Sequence, residues 1–70
     1  MKTKTFTAIV YQEDDMYVAE CTEVGTVDQG ATIEEAVANL KEATRLYLEE
    51  CPLADEITPR FVTNIEVSYA

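Results

Sequence analysis

The spacing of apolar residues changes period along the chain, and each change marks an element. Residues 3 to 12 are rich in Thr, Phe, Ile, Val and Tyr, and alternation puts Phe6, Ala8 and Val10 on one face with Thr5, Thr7, Ile9 and Tyr11 on the other. That is the pattern of a strand. The polar cluster Gln12 to Asp15 turns the chain back, and Met16 to Cys21 makes a second strand with Tyr17, Ala19 and Cys21 opposite Val18 and Glu20. Thr22 to Gly25 predicts another turn, and Thr26 to Gln29 a short third antiparallel strand before a backbone break at Gly30.

The period then lengthens. Ile33, Ala36, Val37, Leu40, Ala43, Tyr47 and Leu48 recur at three- and four-residue steps, while Glu34, Lys41, Glu42, Arg45 and Glu49 take the other side. Thr32 stands before this run with Glu35 three residues on, the spacing of a capping box, and Glu34 and Glu35 sit where the helix dipole favours carboxylates. An amphipathic helix from Ile33 to Glu50 follows. Pro52 cannot continue it, and Pro52 to Pro59 is expected to be a surface loop. Phe61, Thr63, Ile65, Val67 and Tyr69 then alternate with Val62, Asn64, Glu66 and Ser68, which predicts a half-buried fourth strand.

The order β-β-β-α-β predicts an α+β fold of two layers. Strand three, helix and strand four form a right-handed crossover, and if strand four lands beside strand one the sheet is mixed with order 3-2-1-4. One helix packs on one face, where it can cover Phe6, Ala8, Val10, Ala19, Cys21, Phe61, Ile65 and Val67. The opposite face keeps Ile9, Tyr11 and Val18 uncovered, and strand four at the edge offers Val62, Asn64 and Ser68 with Glu66 as its one charge. Both features favour a symmetric homodimer, which would also enlarge a core that 70 residues leave thin.

Charge and composition narrow the function. Fourteen Asp and Glu against five Lys and Arg give a formal net charge of -9, a surface that repels phosphate, so direct nucleic-acid binding is not expected. The apolar run Ala8 to Tyr11 is too short for an export signal or a membrane span, so a cytoplasmic location is expected. Cys21 and Cys51 are accordingly expected as reduced thiols packed in the core. The chain forms a single domain over residues 1–70.

Histidine is absent, which removes Ser-His and Cys-His nucleophilic arrangements and the usual nitrogen ligands of zinc. The cysteines lack CxxC spacing, Asp14 and Asp15 lack the ligand alternation of a calcium loop, and Gly30 alone is no phosphate cradle. Nothing in the pattern brings Asp28, Glu20 and Glu66 to metal-bridging distance. No metal, cofactor or catalytic residue is expected, and the chain is expected not to be an enzyme.

The stretches Tyr17-Val18-Ala19-Glu20-Cys21, Asp28-Gln29-Gly30-Ala31-Thr32-Ile33-Glu34-Glu35-Ala36 and Asn39-Leu40-Lys41-Glu42-Ala43 together resemble the HicB-like antitoxin family, in its short stand-alone branch. The resemblance covers most of the chain. Asp28 stands where the family usually has a small hydroxyl residue, and Ala31 where it has an acidic one. It implies a partial ribonuclease-H-like fold without the nuclease carboxylates, no C-terminal DNA-binding domain in this branch, and neutralisation of a small basic ribonuclease toxin, HicA. The motif has physical roles of its own: Gly30 turns, Thr32 and Glu35 cap, Ala36 and Ala43 let the helix approach the sheet, and Asn39 can bond a neighbouring loop. The acidic side chains outside the helix, Asp14, Asp15, Glu20 and Glu23, are the candidates for contact with a basic partner. The alternative is an orphan homo-oligomeric domain that binds a small ligand or only itself.

Overall fold

A computed structural model describes residues 3–51 and 58–70. Three strands, β1 (Ala8–Glu13), β2 (Met16–Cys21) and β3 (Val27–Gly30), precede one helix, α1 (Ile33–Glu50). The fold is α+β, with an antiparallel sheet of order β1-β2-β3. β1 and β2 join through a two-residue turn at Asp14 and Asp15 that fixes Glu13 opposite Met16 and Ala8 opposite Cys21. Asp14 takes φ 55°, a left-handed conformation that Asp tolerates better than branched residues do. Before Ala8 the chain is unpaired in the regular ladder, so the first strand begins later than its residue 3 to 12 pattern predicts.

The alternation separates the two faces of β2 as expected, but Ala8, expected under the helix, is exposed, and Val18, expected on the uncovered face, is buried. Ala19 and Cys21 on β2 pack with Ala36 and Leu40 on α1 to form the buried core, and Phe6, Val10, Tyr17 and Val24 close around it. α1 lies mainly over β3 and β2 and touches β1 least. Ile33 and Tyr47, expected on the buried face, stay about half exposed, whereas Thr44 is buried there. Its hydroxyl is satisfied by the Thr26 hydroxyl at 2.6 Å, which is what allows a polar side chain inside so small a core.

The start of α1 is as expected in half of its detail. Thr32 is the N-cap and its hydroxyl accepts from the Glu35 amide at 3.1 Å, but among the described hydrogen bonds the Glu35 carboxylate returns none to Thr32. Cys21 is buried and Cys51 is exposed past the helix, so the second thiol does not pack in the core.

Sheet order 3-2-1 is present, and among the described residues there is no fourth strand. Residues 58–70 form no ladder and are exposed throughout, with Phe61 at 90 % and Tyr69 at 92 %. Alternation can prescribe that a segment has one apolar side, but pairing it requires a long-range contact, and here β1 remains an edge. The expected loop from Pro52 to Pro59 falls largely outside the described residues.

Candidate functional site

The turn between β3 and α1 is the most tightly determined part of the chain. Gly30 is buried against the first turn of α1, and a Cβ placed on it would lie 2.5 Å from the Ala36 nitrogen and 2.8 Å from the Glu35 carbonyl carbon. Glycine is required here by close approach of two backbones, not by a left-handed conformation. Ala36 is buried at the same contact. One turn further along the helix, Asn39 donates its Nδ2 to the Gln29 carbonyl at 2.8 Å. Asp28 in turn accepts from the Gln29 amide through Oδ1, also at 2.8 Å. Both backbone groups of Gln29 are therefore taken by side chains, which removes that residue of the outer edge of β3 from further strand pairing. Ala43 is half-buried on the same side of the helix.

The four acidic candidates separate into two kinds. Asp14 and Asp15 are exposed at the tip of the β1–β2 hairpin, next to an exposed Glu13. Glu20 is half-buried on the sheet face away from α1, opposite Ile9 on β1. Glu23 is committed internally. Its Oε1 accepts from the Thr7 amide at 2.8 Å and from the Thr22 hydroxyl at 3.0 Å, and its Oε2 accepts from the Thr7 hydroxyl at 2.9 Å. These bonds, the Thr7 amide foremost, hold its carboxyl below the ordinary value of 4.5. Glu23 thus fastens the segment before β1 to the β2–β3 turn, a role that neither its charge nor its turn position discloses in the sequence.

Charge on the helix is arranged separately. Arg45 bridges Glu42 and Glu49 along the exposed side of α1, and the Arg45 bonds hold the Glu42 carboxyl below its ordinary value. These are the salt bridges found among the described residues, so the hairpin carboxylates form no ion pair there. Asp28 and Glu20 point to opposite sides of the sheet, since their partners Ala19 and Val27 place them on alternating positions. Among the described residues no group of three or more Cys, Asp or Glu could hold a metal ion.

The proposed oligomer residues are likewise not equivalent. Ile9 and Tyr11 are more than 40 % exposed on the face away from α1. Val18 is only 7 % exposed, because it lies on the central strand between Tyr11 and Gln29. Val62 and Asn64 lie in the exposed segment after the helix.

An open groove of about 480 Å³ lies on the other face, between α1 and the segment 3–8 that leads into β1, with Lys4, Lys41 and Arg45 among its lining. Phe6, Ala8 and Cys21 form its floor, and Val37, Leu40 and Leu48 its helical wall. The groove had no signature in the sequence, because it depends on the offset of the helix toward β3. Among the described residues no helix is long and apolar enough to cross a membrane. No protein-family model matches the chain, and no curated protein or solved structure matches it.

Proposed function

We propose that the chain is a non-enzymatic, cytoplasmic protein-binding module of the HicB-like kind, which docks a small basic toxin-like protein and masks its active surface. The observation that carries this is the hairpin tip. Asp14 and Asp15 are held by a two-residue turn in a fixed register, exposed and in no ion pair among the described residues, within a chain of net charge -9. Such a rigid acidic point favours and steers a basic surface at little ordering cost. Glu20 extends the acidic surface onto the adjoining sheet face, while Glu23 is left to its structural role. In the complete assembly the segment 61–69 supplies the fourth strand beside β1, giving sheet order 3-2-1-4.

The test is direct. A small basic protein encoded beside this chain is produced and its association rate measured at two salt concentrations, with wild type and with the pair Asp14→Asn and Asp15→Lys. The wild-type rate should fall steeply with salt and the variant rate should be lower and flatter. An unchanged rate removes the hairpin from the interface. The groove between β1 and α1 favours a second possibility, an orphan domain that takes a small apolar ligand. Metal-dependent RNA cleavage by the pure protein that Asp28→Asn abolishes would overturn both.

A further inference from the structure

Two unsatisfied features of this fold match each other. The first is the edge of β1. The Thr22 amide donates to the Thr7 carbonyl at 3.0 Å, so antiparallel alternation points the backbone groups of Thr7, Ile9 and Tyr11 toward β2 and those of Ala8, Val10 and Gln12 outward. No described strand pairs with them. β3, the other edge, is only four residues long, and on it the backbone groups of Gln29 are taken by Asp28 and Asn39. The open edge is also the side on which the apolar groove lies.

The second feature is the segment after the helix. Phe61, Ile65, Val67 and Tyr69 occupy alternating positions and are 90, 81, 68 and 92 % exposed. Four large apolar side chains in one line, all in water, are a binding surface and not a tolerable end state. The segment passes the residues just before its own β1, where the Arg60 carbonyl lies 3.1 Å from the Thr7 hydroxyl whose proton it shares with Glu23, and residues beyond it remain exposed. The chain has a Cα radius of gyration of 14.2 Å, whereas about 11 Å is expected for a compact chain of this length.

We propose that two copies exchange these segments: residues 61–69 of each copy pair with the β1 edge of the other and lay Phe61, Ile65, Val67 and Tyr69 toward the groove between β1 and α1. Each copy carries the open β1 edge, the groove beside it and the apolar arm, so reciprocal exchange about a two-fold axis satisfies all three and leaves no arm over. Two such arms with their receiving edges bury on the order of the 1,200–2,000 Å² typical of stable interfaces. This rests on the fold alone and holds whether or not a basic partner exists.

The experiment uses the pure full-length chain. Sedimentation equilibrium should give twice the chain mass of 7.8 kDa. Ile65→Asp should weaken the dimer by about tenfold or more. Because Ile65 is exposed in the single chain, its helical circular dichroism should persist in the monomer. In a mixture of isotope-labelled and unlabelled chains, nuclear Overhauser contacts should join the Ile65 and Val67 methyls of one chain to Val37 and Leu48 of another. Wild type that stays monomeric at millimolar concentration overturns the exchange. So do contacts confined within one chain, which would show each arm closing on its own β1, and a dimer that Ile65→Asp leaves intact.

Discussion

Gly30 and Ala36 meet so closely that the Cβ which Gly30 lacks would sit 2.5 Å from the Ala36 backbone nitrogen. The neighbouring atoms belong to the first turn of α1 and include its main chain, so no rotamer change can make room. Gly30→Ala must push the helix away from β3 or break the turn. The expected loss is roughly 1–3 kcal/mol, the range of overpacked cores, read as a lower denaturant midpoint with unchanged slope. Gly25 offers the control on space: it has φ 91° and nothing within 4 Å of an added Cβ, so Gly25→Ala strains backbone without a clash.

Leu40 and Thr32 test the helix at its middle and its start. Leu40 is 4 % exposed in the core, and Leu40→Ala should cost roughly 2–5 kcal/mol through lost burial and a cavity. Thr32→Ala removes the one hydroxyl bond to Glu35 and should cost about 1 kcal/mol. Chemical denaturation of the two proteins ranks them. If Leu40→Ala is the milder change, the buried face of α1 is misassigned.

The contrast between Leu40 and Phe61 shows what was legible in the sequence. Leu40 belongs to a local period, and so do the two hairpin strands and the capped helix; their faces, order and the helix span Ile33–Glu50 can be read from neighbouring residues alone. Phe61 has an equally clear alternation, but its burial needs a strand some fifty residues away or on another chain, and it is exposed here. The motif Gly30, Thr32, Ala36 and Asn39 was legible as a turn into a helix. The capture of the Gln29 carbonyl by Asn39 was not, since it depends on how the helix sits over the sheet. Glu23 misleads for a similar reason. Its turn position suggests a solvated acid, and only the return of Thr7 across the sheet makes it a clamp.

That clamp makes stability depend on acid. The folded-state pKa of Glu23 is depressed below 4.5 by the Thr7 amide, so the unfolded chain takes up the proton first. Its contribution is complete at pH values well above 4.5 and is lost as pH falls through the folded value. Glu42, depressed by Arg45, adds in the same direction, though that pair lies in solvent and is screened by salt. Urea midpoints measured from pH 7 to pH 3 should therefore fall, and Glu23→Gln should show a shallower fall over the acid range. Equal slopes in both proteins would mean that the carboxylate is not held by Thr7.

The Thr26 and Thr44 hydroxyls form the remaining internal polar pair to test, at 2.6 Å with Thr44 buried in the apolar side of α1. Thr26→Val keeps the shape but leaves the buried Thr44 hydroxyl facing a methyl group and should cost about 1–3 kcal/mol, the penalty for an unsatisfied buried group, whereas Thr44→Val leaves the half-buried Thr26 hydroxyl within reach of water and should cost less. Replacing both removes the need for the bond. The double variant Thr26→Val with Thr44→Val should then be less destabilised than the sum of the single changes, and a double-mutant cycle on denaturation midpoints gives the coupling. Strict additivity would indicate that each hydroxyl finds water on its own. A positive coupling would place β3 and α1 under one shared constraint on the side of the helix that reaches the β2–β3 turn, with Gly30 and Ala36 supplying the other constraint near its first turn.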